Sequence, residues 1–215
     1  MGQVTLLLDF DGTATPRDVG GSLLGHFARD DSWRVIDNDY VNGRIGSRVA
    51  YRLLERLLDG DPLVWERWAL ATAELDPGLN ELVDLCRQVG WELEILSDGL
   101  DFYIRALLRR AGLDLPFRAS RVLSSEPAAR IRTPYMNPLC GRCGTCKTDR
   151  VTELTVAGHR VIYVGDGYSD LCAGPRAHRL FATGVLAEHC QTRGIAHERF
   201  DQLEDVTRAL RTGPP

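Results

Sequence analysis

The chain has 215 residues, 44% hydrophobic and 26% charged, with a formal net charge of −4, which suits one domain carrying an insertion or a small second domain. The mild acidity offers no attraction to nucleic acid or an anionic membrane, and no apolar run approaches the roughly 18 residues of a membrane span. The first residues lack a basic segment and reach Asp9 too early for a signal peptide, so a cytoplasmic location is expected, where the six cysteines would stay thiols or bind metal.

In chain order, Val4 to Leu8 is a short apolar run that reads as a buried strand and ends in Asp9-Phe10-Asp11-Gly12-Thr13. Residues 15–75 hold no good strand. Val49, Ala50, Leu53, Leu54, Leu57 and Leu58 repeat at helical spacing, followed by Trp65, Trp68 and Leu70. This stretch is predicted to be a small helical cap inserted after the first strand, with residues 1–14 and 76–215 forming the core domain. Leu82, Leu85 and Cys86 share one helical face. Trp91 to Leu96 is strand-like and ends in Ser97-Asp98-Gly99, read as a helix start. A helix through Tyr103, Ala106 and Leu107 stops at Gly112, and Arg118 to Tyr135, with Glu126-Pro127 near its middle, suits a β-hairpin. Thr145 to Val156 reads as a helix with Lys147 in its first turn. Val161 to Val164 is a third strand, ending in Gly165-Asp166-Gly167-Tyr168-Ser169-Asp170, and Asp201 to Leu210 is a closing helix. Strands alternating with helices predict an α/β fold, a doubly wound (Rossmann-like) mostly parallel sheet, which gathers ligands at the carboxyl ends of its strands.

The acids and Ser97 fall at those ends. Two carboxylates two residues apart need a cation or a shared proton. A serine hydroxyl with backbone N–H groups at Ser97, Asp98 and Gly99 suits a phosphate oxygen. Lys147 supplies a fixed cation, and Asp166 with Asp170 a second acidic pair; hard oxygen donors favour Mg²⁺ over zinc. Alone, each feature reads as a turn, a cap or a solvated side chain. Together and in this order they supply named catalytic roles as well as residue types.

The ordered set resembles the haloacid dehalogenase superfamily over nearly the whole chain. Asp9 to Thr13 looks like its first motif, Ser97 its second, Lys147 its third, and Asp166 with Asp170 its fourth. The resemblance implies a phosphatase acting on a small phosphorylated metabolite, with Asp9 as nucleophile forming an aspartyl-phosphate and Asp11 as acid and base. It implies Mg²⁺ on Asp9, the backbone carbonyl of Asp11 and Asp166, with Ser97 and Lys147 on the phosphate. Thr13 stands beside the acids, and Asp170 steadies either the metal water or Lys147. The second acid, Asp11, is what phosphatases of the superfamily have and its dehalogenating members lack.

A helical cap between the first two motifs is similar to the phosphoserine-phosphatase-like branch, in which an acid nine residues past the nucleophile reads the substrate. Asp18 holds that place, where the branch has a glutamate. Arg44, Arg48 and Arg52 lie on a cap face, to meet a substrate carboxylate or hydroxyl or to be solvated. Cys140, Cys143 and Cys146, spaced C-x2-C-x2-C and running into Lys147, allow a Zn²⁺ site if His159 or Cys172 completes it, a disulfide, or a tight loop shaping the pocket. A cysteine-rich loop running into the motif lysine is also similar to the methionine-salvage phosphatase family acting on 2-hydroxy-3-keto-5-methylthiopentenyl-1-phosphate, as are Phe181-Ala182, Leu186, Cys190 and His197. Thr15-Pro16-Arg17 and Gly167-Tyr168 depart from that pattern. The alternatives are a phosphatase for phosphoserine or another sugar or amino-acid phosphate, and an inactive module binding a metal or partner through the cysteine loop. The sequence does not fix an oligomeric state.

Overall fold

The computed structural model describes residues 2–123 and 129–213. Its strands are β1 (Val4–Leu8), β2 (Glu92–Leu100), β3 (Phe117–Leu123), β4 (Arg130–Arg132), β5 (Arg160–Gly165), β6 (Arg179–Ala182) and β7 (Glu198–Arg199). They form one sheet in the order β4-β3-β2-β1-β5-β6-β7, parallel except for β4 against β3. Helices α1 (Val19–Phe27), α2 (Ser32–Val41), α3 (Ser47–Leu54) and α4 (Pro62–Thr72) separate β1 from α5 (Leu79–Val89). Beyond β2 come α6 (Asp101–Arg110), α7 (Lys147–Val156), α8 (Gly184–Arg193) and α9 (Leu203–Thr212). The expected doubly wound sheet with a helical insertion is therefore present.

The unbroken apolar run of β1 follows from burial on both faces. Leu6 and Leu8 point into one cluster with Leu82 of α5, Tyr103 and Leu107 of α6 and Val206 of α9. Leu7 points the other way, toward Val151 of α7 and Leu186 and Cys190 of α8. Each buried leucine is worth roughly 1.5–3 kcal/mol. Leu8 pairs with Ile95 on one side and Val164 on the other, and the Asp9 N–H continues the ladder to the Val164 carbonyl at 2.9 Å. The chain leaves β1 toward β2 and β3, then crosses to β5 and β6. The switch point beside β1 is where such sheets bind ligands.

Two expectations shift in detail. Ser97-Asp98-Gly99 is not a helix start: β2 runs to Leu100 with an irregular register after Leu96, and α6 begins at Asp101. Hydrogen bonds from Ser47 and the Thr145 N–H to the Asp98 carboxyl, and from the Gly99 N–H to Ser97, pin this stretch in extended form. The hairpin from Arg118 to Tyr135 is present as the antiparallel pair β3–β4, with Val122 opposite Ile131, while Glu126-Pro127 lies outside the described residues.

Within the insertion, α1 and α4 join the main core. Val19, Leu23, Trp65 and Ala69 belong to the same buried cluster as Phe102, whose ring centre lies 6.3 Å from that of Trp65. Helix α2, by contrast, has no fully buried residue and packs beside α3. No helix among the described residues is long and apolar enough to cross a membrane.

Candidate active site

The carboxyl ends of β1, β2 and β5 and the first residue of α7 converge. Lys147 Nζ donates at 2.6 Å to Asp9 Oδ1 and at 2.6 Å to Asp170 Oδ1, and all three side chains are buried. Burial opposes the lysine's charge, but Asp170 and Asp9 outweigh it and raise its pKa, so the ammonium persists. Asp170 is fully occupied. Its Oδ1 also accepts from the Tyr163 hydroxyl at 2.6 Å, and its Oδ2 from the N–H groups of Asp166 (3.1 Å) and Gly167 (2.9 Å). Although burial raises its pKa, Lys147 and these bonds bring it below the usual carboxylate range. Of the two duties expected for Asp170, this geometry suits holding Lys147.

Asp9 and Asp166 go the other way. Burial and the charge of Asp170 push Asp9 well above its ordinary value despite Lys147, and burial and Asp170 raise Asp166 to about 6. One oxygen each from Asp9, Asp166 and Asp170 lies within 4.8 Å of the others, the sole such trio among the described residues. Asp170 is taken up by Lys147 and its other hydrogen bonds, so Asp9 and Asp166 are the hard-oxygen donors that fit a divalent cation. Thr13 Oγ1 donates to Asp166 Oδ1 at 2.9 Å. Gly12 has φ of 82°, and a Cβ there would stand 2.3 Å from Asp166 Oδ2, so the turn accepts only glycine.

Asp11 is set apart from this charged floor. Its Oδ1 accepts from the Val19 N–H at 2.9 Å, at the start of α1, and its Oδ2 from the Tyr103 hydroxyl at 2.7 Å. Burial first, then the charge of Asp18, raises its carboxyl to about 7, against which the Tyr103, Val19 and Gly20 hydrogen bonds pull downward. A carboxyl raised that far suits a group that gives and takes a proton near neutrality.

Ser97 is buried beside these acids, and its Oγ accepts from the Gly99 N–H at 2.9 Å. That N–H, expected to face a phosphate, is turned inward here. A Cβ on Gly99 would lie 2.0 Å from the Tyr103 hydroxyl and 2.4 Å from Asp11 Oδ2. The Asp98 carboxyl also faces away, toward Ser47 and the Thr145 N–H, which leaves it no part in binding a phosphate through its side chain.

A cavity of about 370 Å³ opens above Asp9, Asp11, Ser97 and Asp166. Leu23, Leu24, Ile36, Val41, Leu54 and Ile131 give it an apolar wall, and Tyr40, Tyr51 and Tyr103 add aromatic faces. Asp18 lines it too, while capping α1 through the Gly21 N–H at 2.8 Å. So does Asp37, which sequence reading missed; burial and the charge of Asp18 raise its carboxyl. No lysine or arginine is among the described lining residues.

The arginines expected at this site are elsewhere. Arg44 pairs with Asp39 at 2.9 Å, and Arg48 and Arg52 line a separate cleft with Arg56 and Arg132. Helical geometry is the cause. Ser47, Ala50, Tyr51 and Leu54 form the stripe of α3 that faces the cavity, so residues 48 and 52 turn off it. The sulfurs of Cys140, Cys143 and Cys146 form no metal-sized group among the described residues, so the geometry gives the zinc reading no support. Burial and the adjacent Asp98 push the Cys143 thiol up to about 12, so without a metal it stays a neutral thiol. All six cysteines are free thiols, and Cys86 and Cys190 are core residues.

A phosphoryl-transfer site on a doubly wound sheet with a helical insertion defines a class. The chain belongs to the haloacid dehalogenase-like hydrolases, whose family model matches residues 6–174. More particularly, it is a phosphatase, and the curated relatives it matches include several named 2-hydroxy-3-keto-5-methylthiopentenyl-1-phosphate phosphatase. The protein of that name from Geobacillus kaustophilus is 30% identical over 97% of this chain and 96% of its own; that of Brevibacillus brevis is 29% identical over 97% and 95%. Among solved structures, a phospho-aspartyl intermediate analogue of phosphoserine phosphatase superposes with a TM-score of 0.73 over 97% of this chain and 99% of that one. At 16% identity it speaks to the fold alone.

Proposed function

We propose that this chain is a Mg²⁺-dependent phosphatase acting on 2-hydroxy-3-keto-5-methylthiopentenyl-1-phosphate through an aspartyl-phosphate on Asp9. One observation carries the chemistry: Lys147 holds one oxygen of Asp9 at 2.6 Å, while Asp11, on its own network, has a carboxyl raised to about 7. The other Asp9 oxygen attacks phosphorus in line as the ester P–O bond breaks, and Asp11 delivers its proton to the leaving oxygen. Asp11, now ionised, takes a proton from a water that attacks the phosphorus, which frees Asp9 and inorganic phosphate. Ser97 and Lys147 hold the transferring group. Asp9, Asp166 and the Asp11 carbonyl would hold Mg²⁺, which offsets the charge of the phosphoryl group. Residues 15–75 serve as the cap, with α2 and α3 as the part over the substrate.

The relatives' names and the cavity wall support the substrate. A methylthio tail is apolar, and so are Leu23, Leu24, Ile36, Val41 and Leu54. Phosphoserine would bring a carboxylate into a cavity with no described lysine or arginine on its lining and with Asp18 and Asp37 at its side. Phosphate release across a panel of phosphorylated metabolites with Mg²⁺ tests the reading. The enol-phosphate should be preferred over phosphoserine, and Asp9→Asn should lose at least about 10³-fold in rate. Release from phosphoserine alone would overturn the substrate, and a fully active Asp9→Asn would overturn the mechanism.

A further inference from the structure

Asp98 follows Ser97 directly and joins three parts of the molecule. Its Oδ2 accepts from the hydroxyl of Ser47, the first residue of α3. Its Oδ1 accepts at 2.8 Å from the N–H of Thr145, two residues before Lys147. Its backbone carbonyl accepts from the Tyr51 hydroxyl, one turn further along α3. Ser47 closes the circuit, since its Oγ accepts from the Gly144 N–H at 2.9 Å. Ser47, Asp98 and Thr145 are all buried. The seam continues outward: the Arg48 N–H donates to the Arg142 carbonyl at 3.2 Å, and the Arg142 guanidinium to the Gly43 carbonyl at 3.0 Å.

A buried carboxyl with no salt-bridge partner among the described residues is an expensive way to fasten two elements. Its desolvation raises it to about 6. An apolar contact would hold α3 down as well. What the carboxyl adds is a link between the insertion and the segment that carries Lys147. Helices α2 and α3 both line the cavity, so a shift of α3 would reshape it. An α3 that shifted would part Ser47 and Tyr51 from Asp98 and take away the acceptor of the Gly144 N–H, three residues before Lys147.

We infer that Asp98 is a positioning residue that couples the seating of α3 over the cavity to the placement of Lys147 against Asp9. The inference rests on the phosphatase reading for its kinetic consequence, though not for its structural one. Ser47→Ala removes the donor to Asp98 and the acceptor for Gly144 without touching a phosphate-binding group. It should lower kcat about tenfold while KM moves less than about threefold, as expected when a catalytic group is misplaced and substrate binding is kept. Ser47→Thr, which keeps the hydroxyl, should recover most of the rate. Amide hydrogen exchange should quicken at Gly144 and Thr145 in Ser47→Ala, with β1 and β5 as protected as in the wild type. If Ser47→Ala fails to fold, Tyr51→Phe, which removes the other α3 hydroxyl bonded to Asp98, should move kcat and exchange in the same direction by a smaller amount. Unchanged exchange at Gly144 and Thr145, or a kcat within about twofold of wild type, would overturn the coupling. A wild type that releases no phosphate defeats the phosphatase reading instead, and the exchange measurement still decides the coupling because it needs no turnover.

Discussion

The floor and the wall of the cavity make an informative contrast. Directly beneath the floor at Asp9, Lys147 is held between Asp9 and Asp170, and Asp170 accepts three further hydrogen bonds from Tyr163, Asp166 and Gly167. Strand ends and a helix start place these groups, and their charges are set before any ligand arrives. On the wall, α1, α2 and α3 contribute apolar side chains, two aspartates and tyrosines, with no lysine or arginine among the described lining residues. On the proposed reading, the sheet sets the reaction and the helical insertion selects the molecule.

Breaking the floor should cost most. Lys147→Met leaves Asp9 and Asp170 buried without their cation, and losing one partner of such a group typically destabilises by about 3–5 kcal/mol. A fall in thermal midpoint together with loss of phosphate release would be the expected pair of results. Asp11→Asn keeps the shape but removes the proton carrier, so turnover should drop by about 10²–10⁴-fold. The pH profile sharpens this. The first step needs Asp11 protonated, so with its carboxyl at about 7 the wild-type kcat/KM should fall as pH rises through that value. Asp11→Asn should erase that limb.

The same raised carboxyls predict a stability trend. Asp11 at about 7 and Asp98 and Asp166 at about 6 all lie above the ordinary 3.8, so each folded site prefers the neutral acid. Their stabilising contribution is complete below about pH 4 and is lost progressively from there up to about pH 6 to 7, each tenfold difference in proton affinity being worth about 1.4 kcal/mol. Thermal midpoints without metal should therefore fall across that window, and Mg²⁺ should restore part of the loss by favouring the ionised Asp9 and Asp166.

The wall should respond more gently and more selectively. Ile36 lines the cavity from α2, a helix with no fully buried residue, so Ile36→Asn should leave the fold intact. It should raise KM for the methylthio substrate about tenfold while inhibition by inorganic phosphate stays unchanged. Arg52→Ala, off the cavity stripe of α3, should change kcat and KM by less than about twofold.

The same contrast governs what could be read from sequence. Asp9, Ser97 and Asp166 follow short apolar runs, and the period and length of those runs identify strand ends without any tertiary knowledge. Tyr103 and Tyr163 were legible only as core residues, because periodicity reports which face is buried, not whether a hydroxyl at its edge meets Asp11 or Asp170. The cap arginines misled for a related reason. Helix α3 has two candidate stripes, and the one facing the cavity begins with Ser47, whose polar side chain is satisfied by Asp98 and Gly144. Asp98 itself looked like part of a phosphate loop, since nothing local announces a partner 51 residues away.

Covalent capture on Asp9 tests the central claim most directly. Asp11→Asn should form the aspartyl-phosphate slowly and hydrolyse it more slowly still, so acid-quenched protein should accumulate it during turnover. Peptide mass analysis should then find one added phosphoryl group on the peptide containing Asp9, and none in Asp9→Asn. A quenched enzyme that turns over substrate yet never carries phosphate on that peptide would contradict the account.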